Sequence, residues 1–155
     1  MPVLPRNLVA IAVTIGALSI TAPSIAALTP AENTLLAVMN EARAAHNLTP
    51  LRVDAALQRA ARAHSEDMLS RGYFDHGKFA SRMQRHGVRA RTMAENIAWW
   101  AGYRWARRIV NMWLRSPNHR ENLLRPGFRR VGIATTSGLF AGSKVRMVTA
   151  DFAGR

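Results

Sequence analysis

Two residue periodicities follow one another along this chain, and their order limits the folds that it can adopt. Apolar residues recur at helical spacing in the first part, as Leu35, Leu36 and Met39 do. Near the C-terminus the pattern becomes an alternation of apolar and polar residues, in 130–135 and again in 144–152, with the glycine-bearing segment 137–143 between them. Helices first and strands last predict an α+β domain in which helices pack on a small antiparallel sheet.

Local signals predict where the first helices begin and end. Thr29-Pro30-Ala31-Glu32 has the form of a capping box with proline at the first helical position, so a helix is expected from there to about His46. Asp54 is expected to cap a second helix, which Gly72 ends. A short helix is predicted over residues 79–86.

A longer helix is expected over residues 103–114, and Pro117 is expected to end it and to leave His119 in a loop. Its other face is rich in arginine, which would suit a membrane surface, but the narrow apolar stripe favours burial against the sheet. A further short strand through residues 95–100 is expected to join the C-terminal hairpin. The inward face of the helix is predicted to carry Trp105, Ile109, Met112 and Trp113.

Residues 1–26 are expected to be a secretory signal peptide, which leaves 27–155 as a single domain. A cation at Arg6 precedes an apolar stretch, and Ser24-Ile25-Ala26-Ala27 supplies small residues at the usual cleavage spacing. The alternative is an uncleaved membrane anchor, but the apolar run of about 15 residues is short of the ~20 that a spanning helix needs. We therefore expect a secreted, periplasmic or envelope-associated protein without a transmembrane segment after cleavage.

The absence of cysteine and the excess of basic residues narrow the chemistry. Without cysteine, an exported domain must be stabilised by packing alone, and thiol catalysis and thiolate metal sites are excluded. The chain has 22 basic and 9 acidic residues, and most of the excess follows Asn96. For an exported protein this charge suits anionic lipids, wall polymers or glycans better than nucleic acid. The alternative is a set of solvated cations without a specific partner.

Three polar segments beside apolar anchors contain the candidate site residues His76, Glu95 and His119. Tyr73-Phe74 is expected to anchor the first segment inward, and Asp75 is expected to orient or charge the ring of His76. Glu95 lies in an apolar stretch, where a carboxylate is costly unless it is paired. Two imidazoles and one carboxylate match an open zinc-type site or a proton-transfer site. The alternative is three unrelated structural residues.

Three further polar residues lie in or near these segments. Asn96 and Ser116 are expected to lie behind the candidate residues and support them. His64 is left out of the predicted site, because a lone histidine on an apolar helix stripe, here between Ala60 and Met68, is most often a hydrogen-bonded core residue.

Several segments, in this order, carry a family resemblance. The most specific are Ala94-Glu95-Asn96-Ile97 and Ser116-Pro117-Asn118-His119-Arg120. The chain resembles the CAP superfamily, also called the SCP-like or pathogenesis-related-1 family, and in particular its short bacterial secreted branch. The resemblance covers nearly all of the expected mature chain. The other matching segments are 39–43, 48–51, 63–68, 73–76, 113–115, 122–124, 131–133 and Asp151-Phe152.

The resemblance implies a three-layer α-β-α sandwich whose central cleft is lined by two His and usually two Glu and can hold a divalent cation. Matched by motif, the histidines are His76 and His119, and the first glutamate is Glu95. Ser116 stands where the second glutamate would fall, so the cleft carries less negative charge and an acid–base pair is harder to assemble. The segment 77–80 is short for this branch, so a more open cleft rim is expected.

Three functions remain open from the sequence. The first is a binding or envelope-associated module, without established catalysis, whose cleft holds a divalent cation, zinc being the expected ion, on His76 and His119. The second is a metal-dependent hydrolase in which Glu95 acts as general base toward a bound water. The third is a cationic protein that binds anionic membranes or wall polymers through the arginines of 104–108 and 120–130. We expect a monomer with a lipid or an anionic polymer as its partner, and no nucleic acid.

Overall fold

Five helices and four strands make up residues 27–155, the part of the chain that the computed structural model describes. The predicted signal peptide, residues 1–26, lies outside the described residues. The elements are, in chain order, α1 (Pro30–Ala44), β1 (Arg52–Val53), α2 (Ala55–Arg71), α3 (Phe79–Arg85), β2 (Met93–Trp100), α4 (Trp105–Arg115), α5 (Pro117–Leu124), β3 (Arg130–Phe140) and β4 (Ser143–Ala153).

The predicted boundaries of the first two long helices are confirmed by their caps. The Thr29 hydroxyl accepts a hydrogen bond from the Glu32 amide, and the Glu32 carboxylate accepts one from the Thr29 amide, which completes the capping box of α1. Asp54 accepts hydrogen bonds from two amides of the first turn of α2. Gly72 ends α2 in the left-handed conformation, at φ 66°.

Two predictions around α4 are wrong. Met112 is 41% exposed and does not face inward, since it lies beside the narrow buried stripe that includes Ile109 and Trp113. Pro117 ends α4 but begins α5, so His119 lies in the first turn of a helix and not in a loop. Proline is tolerated at a first helical position because that amide has no intrahelical acceptor there, and the same residue therefore stops one helix and starts the next.

The predicted C-terminal hairpin is present, and its strands are longer than expected. β3 and β4 pair antiparallel, and β2 pairs antiparallel with the other edge of β4. Residues 137–143, predicted as a separating segment, mostly extend the strands to a tight turn at Ala141-Gly142, where both φ angles are positive. The two-residue β1, which no pattern predicted, pairs parallel with β3 and gives the order β1-β3-β4-β2.

Helices cover both faces of the sheet, as the α-β-α expectation requires. The larger apolar core packs α1, α4 and α5 on one face, with Trp113 donating its indole N–H to the Ile97 carbonyl at 3.3 Å. α2 and α3 pack on the opposite face through a smaller cluster that contains Leu57 and Met83. None of the helices in the described residues is long and apolar enough to cross a membrane.

The contact between α2 and the sheet depends on the absence of a side chain at Gly132. A Cβ there would lie 2.0 Å from the carbonyl carbon of Leu57 and 2.4 Å from the amide nitrogen of Gln58. Because the obstacle is backbone, the helix would have to move away from β3. We expect Gly132→Ala to lower the free energy of unfolding in urea by about 3 kcal/mol or more. Gly127→Ala, which meets nothing within 4 Å, is the control; equal losses in both variants would contradict the prediction.

Candidate functional site

The candidate site lies at the free edge of the sheet, on β2. Adjacent residues of a strand point to opposite faces, so Glu95 faces α2 while Asn96 faces α5. The loop after α2 brings His76 to Glu95, and the first turn of α5 brings His119 to Asn96. The three predicted site residues therefore meet around two neighbouring positions of one edge strand.

Glu95 is a buried carboxylate with cationic and imidazole partners on both oxygens. His76 Nδ1 lies 2.7 Å from Glu95 Oε1, and a guanidinium N–H of Arg82 donates to Oε2. Arg82 also donates to the backbone carbonyl of His76 at 3.2 Å, so it holds both the carboxylate and the loop. These contacts offset the desolvation cost of an ionised group that is only 7% exposed.

His119 is held from the other side of the strand. Its Nδ1 lies 2.7 Å from the Ser116 hydroxyl, and its backbone carbonyl accepts a hydrogen bond from the Asn96 amide at 2.9 Å. Asn122 donates to the Asn96 side-chain oxygen at 3.0 Å and fixes that amide. Burial lowers the pKa of His119, and the charge of nearby His76 lowers it further, so the ring is neutral at pH 7.

Two sequence-based expectations about the His76 loop are wrong. Asp75 does not orient the ring of His76; its carboxylate accepts the Gly77 amide at 2.6 Å and closes a local turn, and Glu95 holds the ring instead. Phe74 is 42% exposed and does not anchor the loop inward. The anchor is Tyr73, whose hydroxyl donates to Asp67.

His64 lies at the site although it was left out of the prediction. It is a buried core residue as expected, but its Nε2 lies 3.7 Å from Glu95 Oε2 and makes no hydrogen bond within the described residues. Burial lowers the pKa of His64, with Arg82 and His76 adding to the effect and Glu95 opposing it. The apolar stripe of α2 covers the sheet face that carries Glu95, and this packing could not be known from helical periodicity alone.

A second carboxyl, Asp151, stands directly beside Glu95. The two residues are partners in the β2–β4 register, and Asp151 is fully buried. Burial raises the pKa of Asp151 well above its usual range, and Glu95 raises it further, while Arg82 opposes both. The raised pKa favours the protonated form of Asp151 beside Glu95, and neither oxygen of Asp151 has a hydrogen-bond partner within the described residues. The alternation of apolar and polar residues along 144–152 puts Asp151 on an inward face, and this was the sequence signal from which its place near the site could have been found.

The arrangement offers two imidazoles as ligands for a cation. Each ring has Nδ1 in a hydrogen bond, to Glu95 or Ser116, so in the tautomer with Nδ1 protonated each Nε2 keeps its lone pair. Glu95 is committed to Arg82 and His76. In residues 27–155 no group of three or more His, Asp or Glu side chains is arranged to hold a metal ion. The described residues thus supply two ligands at this site, and solvent would complete a coordination sphere.

Comparison with known proteins identifies the family. The family described as CAP, cysteine-rich secretory protein family, matches residues 36–140, although this chain has no cysteine. The uncharacterized protein YkwD of Bacillus subtilis is 35% identical over 107 residues, which are 66% of this chain and 41% of that protein. The uncharacterized membrane protein YlbC of the same organism is 32% identical over 110 residues, 68% of this chain and 31% of that protein.

A solved structure gives the same result. The crystal structure of an extracellular protein containing an SCP domain from Bacillus anthracis matches with a TM-score of 0.66 and 29% identity, covering 83% of this chain and 45% of that one. The chain spans less than half the length of each of these three proteins. The matched family segment takes up more than half of the sequence, and the chain belongs to the CAP family.

Proposed function

We propose that this protein is a secreted CAP module whose cleft binds a divalent cation, zinc, between His76 and His119, and that binding rather than turnover is its function. The observation that carries the proposal is the hydrogen-bonding arrangement that the two imidazole rings share. Each is fixed through Nδ1 by an oxygen acceptor, and each has Nε2 left for a ligand. Metal-binding histidines are commonly oriented in this way by a carboxylate or another oxygen on the second ring nitrogen.

The chemistry of the two ligands favours zinc over calcium or magnesium. Imidazole nitrogen suits zinc and other late transition metals, whereas calcium and magnesium prefer oxygen ligands. The lowered pKa of His119 supports this choice, because a neutral ring needs no deprotonation before it binds a metal. With only two protein ligands, we expect weaker binding than at a structural zinc site with four.

The metal-dependent hydrolase is the weaker alternative. It needs Glu95 as a general base with an oxygen free to accept a proton from water. Both Glu95 oxygens are engaged, one by His76 and the other by Arg82. The Ser116–His119 hydrogen bond has the geometry of a nucleophile and a base, but within the described residues no acid orients that imidazole from its other nitrogen.

Export and a cationic surface support the envelope part of the proposal. The expected signal peptide and the extracellular relative from Bacillus anthracis both favour secretion. The net charge of +13 favours association with anionic membranes or wall polymers outside the cell. This attraction should weaken as salt rises, because surface charges are screened over about 8 Å at physiological ionic strength.

Zinc binding is tested by thermal unfolding with and without added metal. Zinc at 100 times its dissociation constant is expected to stabilise the protein by about 2.7 kcal/mol, with little effect from calcium or magnesium. The His76→Ala/His119→Ala double variant should lose this stabilisation. His46→Ala/His86→Ala is the matched control, since His46 contacts Ala42 and Arg120, His86 caps α3, and neither ring hydrogen-bonds to His76, Glu95 or His119. If the control variant loses as much zinc-dependent stabilisation as the cleft variant, or if zinc does not stabilise the wild type, the cation part of the proposal is wrong.

A further inference from the structure

A cavity lies on the α2–α3 side of the sheet, next to the cleft, and two of its lining residues, His64 and Arg82, also contact Glu95. It encloses ≈ 590 Å³, within the size range of small-molecule sites, and neither His76, Glu95 nor His119 lines it. Its lining is dominated by polar and cationic side chains from the end of α2, the following loop and α3. They include His64, Arg71, Tyr73, Lys78, Arg82 and Arg85.

The cavity has a surplus of positive charge. Its one acidic lining residue, Asp67, lies 3.6 Å from Arg71 and offsets that cation. Arg82 is paired with Glu95 behind the wall. Lys78 and Arg85 have no acidic partner within the described residues. Two positive charges are therefore left at the cavity without a counter-charge from the protein.

Two buried nitrogens in the cavity wall lack hydrogen-bond partners. Arg82 is 7% exposed, and its Nε–H has no acceptor in the described part of the chain. His64, at 2% exposure, has an Nε2 in the same condition. A buried polar group without a partner costs about 1–3 kcal/mol, and more when it is charged. Both nitrogens are closed to solvent, and His64 Nε2 lies 3.7 Å from Glu95 Oε2, so an anion in the cavity would meet the exposed cations Lys78 and Arg85 rather than these atoms.

We propose that this cavity binds a phosphate monoester dianion carried by a sugar, a glycerol or a lipid headgroup. The guanidinium of Arg85 and the ammonium of Lys78, both exposed at the cavity, match the planar and the point-charge modes of phosphate recognition. A monoester carries close to two negative charges at pH 7 and so matches the surplus, whereas a phosphodiester carries one. The volume leaves room for a polyol beside the phosphate. The proposal does not depend on the cation cleft.

Calorimetric titration with glycerol 3-phosphate, at constant ionic strength, tests the cavity. We expect Lys78→Gln/Arg85→Gln to weaken binding by about tenfold or more, because two charge-assisted contacts are lost. Both residues are exposed, so the variant should fold. Arg108→Gln/Arg115→Gln is the matched control: it removes two exposed arginines of α4, on the other face of the sheet, and should leave the affinity within about twofold. Glycerophosphoglycerol, a diester of similar size, should bind at least about tenfold more weakly than the monoester.

Vesicles distinguish the two sources of the phosphate. Phosphatidylcholine vesicles containing phosphatidic acid present a monoester, and vesicles with the same fraction of phosphatidylglycerol present a diester. Binding of soluble glycerol 3-phosphate that depends on Lys78 and Arg85 supports a free phosphorylated ligand. If only the binding to phosphatidic acid vesicles depends on these residues, and soluble glycerol 3-phosphate does not bind, the result supports a lipid headgroup. The proposal is overturned if neither monoester binds, if diesters bind equally well, or if the control variant loses as much affinity as the cavity variant.

Discussion

Replacing Arg43 with methionine is expected to lower the free energy of unfolding by about 3–5 kcal/mol, because it removes one partner of a buried polar network. The guanidinium is fully buried and donates to four backbone carbonyls instead of an acid. Its partners are the carbonyls of Thr49 at 2.9 Å, Leu123 at 2.7 Å, Arg125 at 3.3 Å and Phe128 at 3.0 Å.

These carbonyls belong to segments that are distant in the sequence. Thr49 lies in the turn after α1, whereas Leu123, Arg125 and Phe128 lie in the last turn of α5 and the connection to β3. Arg43 therefore ties α1 to the element that carries His119. Burial lowers the pKa of Arg43, with the neighbouring charge of Arg129 adding to it, so the network stabilises the cation against an unfavourable environment.

Methionine can fill much of the volume of the side chain, but it leaves four carbonyls without their donor. Urea denaturation of the wild type, Arg43→Met and Arg115→Met measures the effect. Arg115 is exposed and makes no ion pair in the described residues, so its variant should stay within about 0.5 kcal/mol of the wild type. A loss at Arg43 no larger than that at Arg115 would show that water replaces the guanidinium at little cost.

The helix boundaries could be predicted because their signals are local. Thr29 and Glu32 form the capping box that their spacing predicts, and Asp54 caps α2 within three residues of itself. The alternation of residues 144–152 likewise fixed which side chains of β4 face each way. These features depend on contacts between near neighbours, so the sequence contains the information directly.

The remaining features depend on pairing between distant segments. β1 is too short to produce a pattern and exists because Arg52 and Val53 lie beside β3. Pro117 could either follow one helix or begin another, and only the packing of α5 on β2 decides between them. His64 lies at Glu95 because α2 covers that face of the sheet, and Asp151 lies there because β4 pairs with β2 in a register that is a property of the whole sheet.

Asp151→Asn is expected to stabilise the protein at neutral pH, and this gain should shrink as the pH falls. Burial and Glu95 hold the pKa of Asp151 well above the unfolded value of 3.8, so the native state keeps a proton that the unfolded chain releases. The contribution of Asp151 to stability is fully present below pH 3.8 and is lost as the pH rises toward its native pKa. Asparagine is neutral in both the native and the unfolded state, so its variant avoids this loss.

The stability difference between Asp151→Asn and the wild type should therefore grow with pH, by up to about 1.4 kcal/mol per pH unit from about pH 4 upward. Urea unfolding at one-unit intervals from pH 2 to pH 8 measures it, and the other titrating groups largely cancel between the two proteins. Asp54→Asn provides a control of opposite sign. Burial acts to raise the pKa of Asp54, but hydrogen bonds from Leu57 and Arg130 outweigh it and lower that pKa. Its variant should lose stability at neutral pH and recover in acid. A flat difference for Asp151→Asn would mean that Asp151 is ionised beside Glu95, and the cleft would then contain two carboxylates.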